Sequence, residues 1–278
     1  PLNATLARQY DGTTTSAGST LSSFDALQGG ETLTLSGSGT AASANVANGI
    51  TMSSNGDLAL VNGTGVASNY SLNSAAINIT QRVLNSSGSK TYDANTDALA
   101  ADITLSNLVS GEALNHSGTA TIGSANAGSY TISNLTGVTI ADGSGGAASN
   151  YTLTGGTHNF TVNPKVVSIQ GNKTYDGNTT ISSSDITSIT GTVGSETLVM
   201  SSGTGTTSSQ NAATYASAGI NDGSLTLGNG SNGGLAANYT LSGGTHQLTV
   251  NQRPLNATIQ RVYDGGLNAE GSDLSSFD

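Results

Sequence analysis

Apolar residues alternate with threonine or serine in short segments along the whole chain. Examples are residues 31–35 (Glu-Thr-Leu-Thr-Leu), 129–133 (Ser-Tyr-Thr-Ile-Ser) and 247–250 (Gln-Leu-Thr-Val). This period of two is typical of a strand that buries one face. Clusters of Gly and Asn, such as Asn62-Gly63 and Asn229-Gly230, mark the turns between strands. Because no stretch of a dozen residues has a helical period, we expect an all-β protein.

The strand pattern is organised by a longer period, which a Tyr-Asp pair marks. The pair occurs as Tyr10-Asp11, Tyr92-Asp93, Tyr175-Asp176 and Tyr263-Asp264, at offsets of 82, 83 and 88 residues. A glutamate follows each of the first three tyrosines by 20 or 21 positions, at Glu31, Glu112 and Glu196. An Asn-Tyr pair closes each unit, as Asn69-Tyr70, Asn150-Tyr151 and Asn238-Tyr239. The period exceeds the roughly 20 to 50 residues of a solenoid coil and suits a small domain.

These landmarks predict repeats at 1–82, 83–165 and 166–253, followed by the start of a truncated fourth repeat at 254–278. Residues 1–25 and 254–278 are identical at 16 of 25 positions. We interpret the sequence as a window from a longer protein in which blocks of three domains are duplicated. Since the junctions are only two or three residues long, they cannot act as flexible tethers. We expect neighbouring repeats to form an elongated rod.

The amino-acid composition limits which classes of partner and which cellular location fit this chain. Only 9% of residues are charged, Lys and Arg number 7, and the net charge is −10. Nucleic acid is therefore excluded as a partner, because phosphate binding needs clustered cations. No apolar run approaches the roughly 18–20 residues of a membrane span. The chain has no cysteine, which fits a bacterial cell-surface protein, and its polar, weakly acidic composition suits an extracellular stalk.

Several of the repeated motifs resemble one known family. The segment 173–180 (Lys-Thr-Tyr-Asp-Gly-Asn-Thr-Thr), the Gly-Glu in mid-domain, the Gly-Ser-Tyr strand at 128–130 and the closing Asn-Tyr-x-Leu are similar to the YDG repeat. This repeat, a relative of the MBG repeat, is found in large filamentous-hemagglutinin-type adhesins of bacteria. The resemblance implies a role in adhesion and biofilm, and it carries no catalytic residues. Repeat two departs from the motif, with Asp93-Ala94 in place of Asp-Gly.

We interpret the Tyr-Asp and Asn-Tyr pairs as structural motifs. A cation precedes each Tyr-Asp tyrosine by two positions, at Arg8, Lys90, Lys173 and Arg261. Since residues i and i+2 of a strand share a face, we expect the tyrosine ring in the core and the cation beside it, paired with the glutamate of its repeat. The aspartate would cap backbone N–H groups of the turn. A ligand role for the tyrosines, including carbohydrate stacking, stays an alternative.

The sequence offers no catalytic or metal-binding motif. His158 and His246 occupy the same place in repeats two and three, in Gly-Gly-Thr-His, whereas His116 lies elsewhere and repeat one has no histidine. Without cysteine, these scattered histidines make no zinc set. No Gly-x-Ser-x-Gly stands in a strand–turn–helix context. We therefore expect no enzyme activity and no cofactor. A structural calcium ion stays open, with no site identified.

The resulting hypothesis is a tandem array of small antiparallel β-sandwich domains, immunoglobulin-like or β-grasp-like. It would form the stalk or fibre of a bacterial cell-surface or secreted adhesin. The alternative is a multivalent array of glycan-binding modules, in which weak sites gain avidity by repetition. A third hypothesis is a filament in which exposed edge strands pair between copies. The expected partners are neighbouring repeats, other copies in a filament, and surface glycans.

Overall fold

The computed structural model describes residues 1–277 and contains only strands and short 3-10 helices. The all-β prediction is confirmed. The chain divides into two compact units: unit 1 comprises residues 1–90 and 95–162, and unit 2 comprises residues 91–94 and 163 onward. The boundaries at 82, 165 and 253 stay predictions, and the last residue of the predicted fragment, Asp278, lies outside the described residues.

The strands and helices follow the internal repeat. The strands of repeat one are β1 (Leu2–Gln9), β2 (Thr15–Ala17), β3 (Leu21–Phe24), β4 (Leu33–Ser36), β5 (Ser38–Ala41), β6 (Ala47–Ser54), β7 (Ala59–Asn62) and β8 (Leu72–Thr80). Those of repeat two are β9 (Arg82–Val83), β10 (Asn85–Thr91), β11 (Asp97–Leu99), β12 (Ile103–Ser106), β13 (Leu114–Ile122), β14 (Gly128–Asn134), β15 (Val138–Asp142), β16 (Tyr151–Thr152) and β17 (His158–Asn163). Those of repeat three are β18 (Lys165–Val166), β19 (Ser168–Thr174), β20 (Thr180–Ser182), β21 (Ile186–Thr190), β22 (Leu198–Ser202), β23 (Thr204–Thr207), β24 (Ala213–Ala216), β25 (Ile220–Asn221), β26 (Thr226–Asn229), β27 (Tyr239–Thr240) and β28 (Gln247–Asn251), and β29 (Ala257–Ile259) and β30 (Leu274–Phe277) follow. The 3-10 helices are Gly18–Thr20, Ala67–Asn69, Ala100–Asp102, Ala148–Asn150, Ser183–Asp185, Ser217–Gly219, Ala236–Asn238 and Gly271–Asp273.

In unit 1, repeats one and two use the same strand order. The sheet of repeat one runs β2-β5-β6-β8-β1-β3, and that of repeat two runs β11-β13-β14-β17-β10-β12. The antiparallel pair β4–β7 forms a second layer over the first sheet, and Leu35 of β4 belongs to the same core cluster as Leu6 and Ile77. Each Leu or Ile that is fully buried in this way contributes about 1.5–3 kcal/mol.

Most strand pairs are antiparallel, as predicted, but the first and last strands of repeat one are parallel. Strand β1 pairs with β8 from Leu2 opposite Leu72 to Gln9 opposite Thr80. The apolar residues of both strands alternate toward the core, where Leu6 and Ile77 are fully buried. Because the two strands run in the same direction, the chain enters repeat one at one end of the sheet and leaves it at the opposite end.

Unit 2 contains the corresponding sheet of repeat three, in the order β21-β19-β28-β24. Strand β19 is again parallel to the last strand, β28, from Gln170 opposite Gln247 to Thr174 opposite Asn251. Its core includes Ile181, Leu248 and Val250. The strands β29 and β30 pair with each other. In repeat three, as in repeat one, the chain therefore enters at one end of the sheet and leaves it at the opposite end.

The residue after each Tyr-Asp pair has a left-handed backbone conformation. In repeat two this residue is an alanine, whereas in the other repeats it is a glycine. The φ of Ala94 is 64°, and that of Gly177 in repeat three is 79°. A left-handed conformation costs an L-residue about 1–2 kcal/mol, whereas glycine loses about 0.5–1 kcal/mol more chain entropy on folding than alanine. We expect Ala94→Gly to raise the free energy of unfolding by about 0.5–1 kcal/mol, the difference between these terms.

The matched control is the reverse change, Gly177→Ala. A Cβ at position 177 would meet nothing within 4 Å, so the change should lower stability by a similar amount through the backbone alone. Urea denaturation followed by circular dichroism measures both changes. A loss of stability in Ala94→Gly would contradict the assigned strain.

Candidate functional site

In repeats one to three, the Tyr-Asp pair lies at the exit end of the repeat, directly after its first long strand. The backbone N–H of Tyr10 donates to the carbonyl of Thr80 at 2.9 Å, that of Tyr92 to Asn163 at 2.8 Å and that of Tyr175 to Asn251 at 2.9 Å. These bonds prolong the pairing between first and last strands by one residue. The three tyrosines are therefore held in equivalent backbone positions.

The aspartate and the cation hold the turn that follows each tyrosine. Asp11 Oδ1 accepts from the backbone N–H of Thr13 at 2.9 Å, so the predicted capping role is confirmed there. The Lys173 Nζ donates to Asp176 at 2.9 Å and to the carbonyl of Thr180 at 2.7 Å, and Arg8 pairs with Asp11. The predicted pairing of these cations with the glutamates is wrong, because the chain turns back and brings the aspartate and backbone carbonyls within reach.

The glutamate and the Asn-Tyr pair meet at the entry end of repeat two. Glu112 ends a turn in which its backbone N–H donates to the carbonyl of Val109 at 3.0 Å. This turn directs the Glu112 carboxylate toward Tyr151. The 3-10 helix Ala148–Asn150 ends at the asparagine, so Tyr151 begins the next strand. The Tyr151 hydroxyl donates to Glu112 Oε2 at 2.6 Å and accepts from the Val109 N–H at 3.0 Å. The turn and the strand are thereby locked together through one hydroxyl.

A tyrosine of repeat one completes this arrangement. The Tyr10 hydroxyl donates to Glu112 Oε1 at 2.5 Å, and the rings of Tyr10 and Tyr151 meet edge to face with centroids 5.4 Å apart at 79°. We call Tyr10, Glu112 and Tyr151 the first cluster. Both carboxylate oxygens of Glu112 thus accept a tyrosine hydroxyl, one from each repeat, which ties the exit end of repeat one to the entry end of repeat two within unit 1.

Unit 2 contains a second cluster with the same geometry, formed by Tyr92, Glu196 and Tyr239. The Tyr92 hydroxyl donates to Glu196 Oε1 at 2.7 Å, and the Tyr239 hydroxyl donates to Oε2 at 2.6 Å. The two rings lie edge to face with centroids 5.4 Å apart at 78°. Val193 supplies the N–H to Tyr239 at 3.0 Å. The arrangement is therefore a recurring element of the chain.

The asparagine of the Asn-Tyr pair adds two bonds beside the first cluster. Asn150 Oδ1 accepts from the Val46 N–H at 2.9 Å, and its Nδ2 donates to Asn45 Oδ1 at 3.0 Å. Its side chain is buried, as is that of Asn238 in unit 2. A loop of repeat one thus holds the asparagine of repeat two, next to the shared glutamate.

Comparison with known families agrees with these motifs. The model of the YDG domain matches residues 2–79 and 76–161, which together are more than half of the chain. The chain belongs to the YDG domain family. Comparison with curated proteins and with solved structures gave no match. The two matched ranges cover the YDG repeats of unit 1 and include the whole first cluster.

Burial and the shared carboxylate shift the acid–base properties of the YDG tyrosines. The pKa of Tyr10, Tyr92 and Tyr239 rises from the usual 10.0 to about 12, chiefly because burial disfavours the phenolate and next because each hydroxyl donates to a glutamate. The pKa of Tyr151 is raised for the same two reasons, in the same order. Ionisation of any of these rings would place a second negative charge against the carboxylate.

These shifts predict a loss of stability in alkali. The folded state binds the phenolic proton more tightly than the unfolded state, so the contribution of these tyrosines is complete below pH 10.0 and declines as the pH rises to about 12. We expect the free energy of unfolding to fall across that window. Urea denaturation at a series of pH values measures the slope, and Tyr10→Phe, which removes one titrating group, should make it shallower. An unchanged slope would contradict the role of Tyr10.

The tyrosines of the Tyr-Asp and Asn-Tyr pairs differ in how deeply they are buried. The Tyr10 side chain is 5% exposed and that of Tyr92 is 4% exposed, as predicted, but Tyr175 is 36% exposed. The prediction of a buried ring is therefore wrong for Tyr175. Tyr263 is 90% exposed, and its partner Asp264 caps the N–H of Gly266 at 2.8 Å. In repeat one, Asn69 is exposed and Tyr70 is half-buried.

The histidines have structural partners. The ring of His158 bonds to Ser86 Oγ at 3.0 Å and to the carbonyl of Leu153 at 2.8 Å. His246 accepts from the Ile169 N–H at 3.2 Å. Within residues 1–277, no group of three His, Asp or Glu side chains could hold a metal ion. Nor does any helix in this range have the length and apolar character needed to cross a membrane.

Proposed function

We propose that these YDG repeats form a force-bearing structural region, a stalk or fibre, of a bacterial cell-surface or secreted adhesin. Such a region would act in adhesion, in a biofilm matrix or in an extracellular filament. The observation that carries the proposal is the parallel pairing of the first and last strands in repeats one and three. The low charge and the absence of cysteine support an extracellular location.

Parallel terminal strands are suited to carry tension. A pull applied where the chain enters and leaves repeat one would slide β1 along β8 in opposite directions. Their hydrogen bonds are evenly spaced along the pair and lie across the direction of the pull. All of them must then give way together, whereas an antiparallel terminal pair with both chain ends on one side would open one bond at a time.

The Tyr–Glu–Tyr clusters support the same function. Each glutamate accepts two charge-assisted hydrogen bonds, and such bonds contribute about 1.5–3 kcal/mol each. In unit 1 they connect two repeats whose linking segment, β9, itself pairs with β16. The segment that transmits tension from repeat one to repeat two is therefore held by hydrogen bonds and is not a flexible tether.

Single-molecule force spectroscopy on the full chain tests the proposal. We expect one unfolding event per complete repeat of 82, 83 or 88 residues, and the fully extended chain of each repeat measures about 270–320 Å at ~3.3–3.6 Å per residue. Because the protein has no cysteine, handles can be attached at engineered ones. Asn3→Cys with Thr80→Cys would shear β1 against β8, and Asn3→Cys with Asn73→Cys would peel them apart from one end.

The shearing geometry should need a several-fold higher unfolding force than the peeling geometry. Equal forces in the two geometries would overturn the force-bearing role. The glycan-binding alternative has less support, because the rings of Tyr10, Tyr92, Tyr151 and Tyr239 are buried and cannot stack on a sugar. Strong, selective binding of the intact chain to a glycan array would revive that alternative.

A further inference from the structure

Repeat one carries the same glutamate and Asn-Tyr pair as the two clusters, but without a second tyrosine. The Tyr70 hydroxyl donates to Glu31 Oε2 and accepts from the Gln28 N–H at 3.3 Å, as Tyr151 does at Glu112. Among residues 1–277, no side chain bonds the other oxygen, Oε1 of Glu31. In both clusters that oxygen accepts the hydroxyl of a Tyr-Asp tyrosine.

The exposure of the Asn-Tyr pair follows the same pattern. Asn150 and Asn238 are each 1% exposed, whereas Asn69 is exposed. Tyr70 also has no edge-to-face partner among the described rings, although Tyr151 and Tyr239 each have one. Glu31, Asn69 and Tyr70 therefore carry the same chemical groups as a cluster, but within residues 1–277 no residue of another repeat forms a hydrogen bond to their side chains. We call these three residues the Glu31 site.

Repeat three presents the complementary group. The Tyr175 hydroxyl has no hydrogen-bond partner within residues 1–277, and the ring lines an open cleft of about 450 Å³. Asn211 and Ala212 lie beside it in that cleft. They occupy the sequence positions of Asn45 and Val46, which hold the asparagine of the next repeat at the first cluster. We call this surface the Tyr175 corner.

The sequence that follows the Tyr175 corner also matches. Gln252 and Arg253 line the same cleft and correspond to Gln81 and Arg82, which bridge repeats one and two: Gln81 Nε2 donates to the carbonyl of Ser149 at 3.2 Å. The residues after Arg253 are Pro-Leu-Asn-Ala-Thr, and the same five residues form positions 1–5. If the sequence of repeat one is placed directly after Arg253, the five residues that follow Arg253 are therefore the same as in this chain.

We propose that the Glu31 site binds the Tyr-Asp corner of a further YDG repeat joined directly ahead of it, and that the Tyr175 corner supplies such a contact to a repeat joined after it. The incoming tyrosine donates its hydroxyl to Glu31 Oε1 and packs edge to face on Tyr70, while Asn69 bonds the backbone of the Asn211–Ala212 loop. The inference rests on the two observed clusters and is independent of the adhesin role.

A tandem fusion of residues 1–253 with residues 1–278 tests this proposal, since it keeps all complete repeats and the link sequence. One version carries Tyr175→Phe in the second copy, so that only the first-copy Tyr175 remains, ahead of a Glu31 site. The matched control carries Tyr175→Phe in the first copy, which leaves a Tyr175 without a complete repeat after it. Nitration of Tyr175 by tetranitromethane, read by peptide mass spectrometry, reports whether the ring is covered.

We expect nitration of the first-copy Tyr175 to be at least about tenfold slower than that of the control, the factor that corresponds to a single charge-assisted hydrogen bond. Glu31→Gln in the second copy should restore much of the reactivity, while Glu31→Gln in the first copy should not. Equal nitration in the two versions would overturn the proposal. Self-association of the unlinked chain that Glu31→Gln abolishes would also overturn it, because the occupant would then be a separate molecule. Both outcomes leave the force measurements unaffected.

Discussion

Replacing Glu112 with alanine should lower the free energy of unfolding of unit 1 by about 3–5 kcal/mol, because hydrogen bonds to a charged group contribute about 1.5–3 kcal/mol each and two are lost. The hydroxyls of Tyr10 and Tyr151 would lose their shared acceptor while both rings remain buried. No other carboxylate is bonded to either hydroxyl among the described residues. The change therefore weakens repeats one and two together.

Glu31→Ala is the matched control for Glu112→Ala. Glu31 stands at the equivalent position, but among the described residues it accepts a hydroxyl only from Tyr70, so its loss should have a much smaller effect. Urea denaturation gives the total change, and hydrogen exchange shows whether protection is lost on both sides of the cluster, at Tyr10 and at Tyr151. Equal losses for the two variants would mean that Glu112 contributes nothing through the link between repeats.

The local pattern of the sequence was sufficient to predict strands, turns and the Tyr-Asp corner. Each rests on neighbours within a few residues: the alternation in β1, the capping of Thr13 by Asp11, and the turn that follows. The parallel pairing of β1 with β8 was not predicted, because the two strands lie some 70 residues apart and their apolar alternation is the same for either direction of pairing.

The clusters were missed for a related reason. Glu112 lies 20 residues after Tyr92 in its own repeat, and the sequence pattern predicts a partner for it within that repeat. Its tyrosine partners are Tyr151, 39 residues away, and Tyr10, 102 residues away in the preceding repeat. A signal was present nevertheless. In a chain with only 9% charged residues, a glutamate that recurs in step with a tyrosine indicates a partner that recurs with the same period.

Equivalence in sequence also does not guarantee equivalent burial. Tyr92 and Tyr175 have the same motif and the same backbone bond to the last strand of their repeats. Of the two, only Tyr92 contacts the glutamate and the Asn-Tyr tyrosine of the next repeat. Its ring is therefore 4% exposed, while that of Tyr175 is 36% exposed. Whether a YDG tyrosine belongs to the core is therefore a property of two consecutive repeats and cannot be derived from one.

The difference in burial between Tyr92 and Tyr175 should appear as a difference in stability when either ring is removed. Tyr92→Ala should destabilise unit 2 by about 3–5 kcal/mol, the usual cost of truncating a buried aromatic ring. It removes both the edge-to-face contact with Tyr239 and one of the two bonds to Glu196. Tyr175→Ala removes a ring of the same size at the equivalent backbone position, yet it should cost only about 1 kcal/mol, the centre of the distribution for point mutants.

Urea denaturation of the two variants, with hydrogen exchange at Glu196 and Tyr239, separates these effects. Protection at both residues should fall in Tyr92→Ala and stay unchanged in Tyr175→Ala. Tyr92→Phe should lie between wild type and Tyr92→Ala, because it keeps the ring contact and loses only the hydroxyl bond. If Tyr175→Ala proved as destabilising as Tyr92→Ala, the tyrosine would stabilise its own repeat from within, and the clusters would be a consequence of folding instead of the bond that links one YDG repeat to the next.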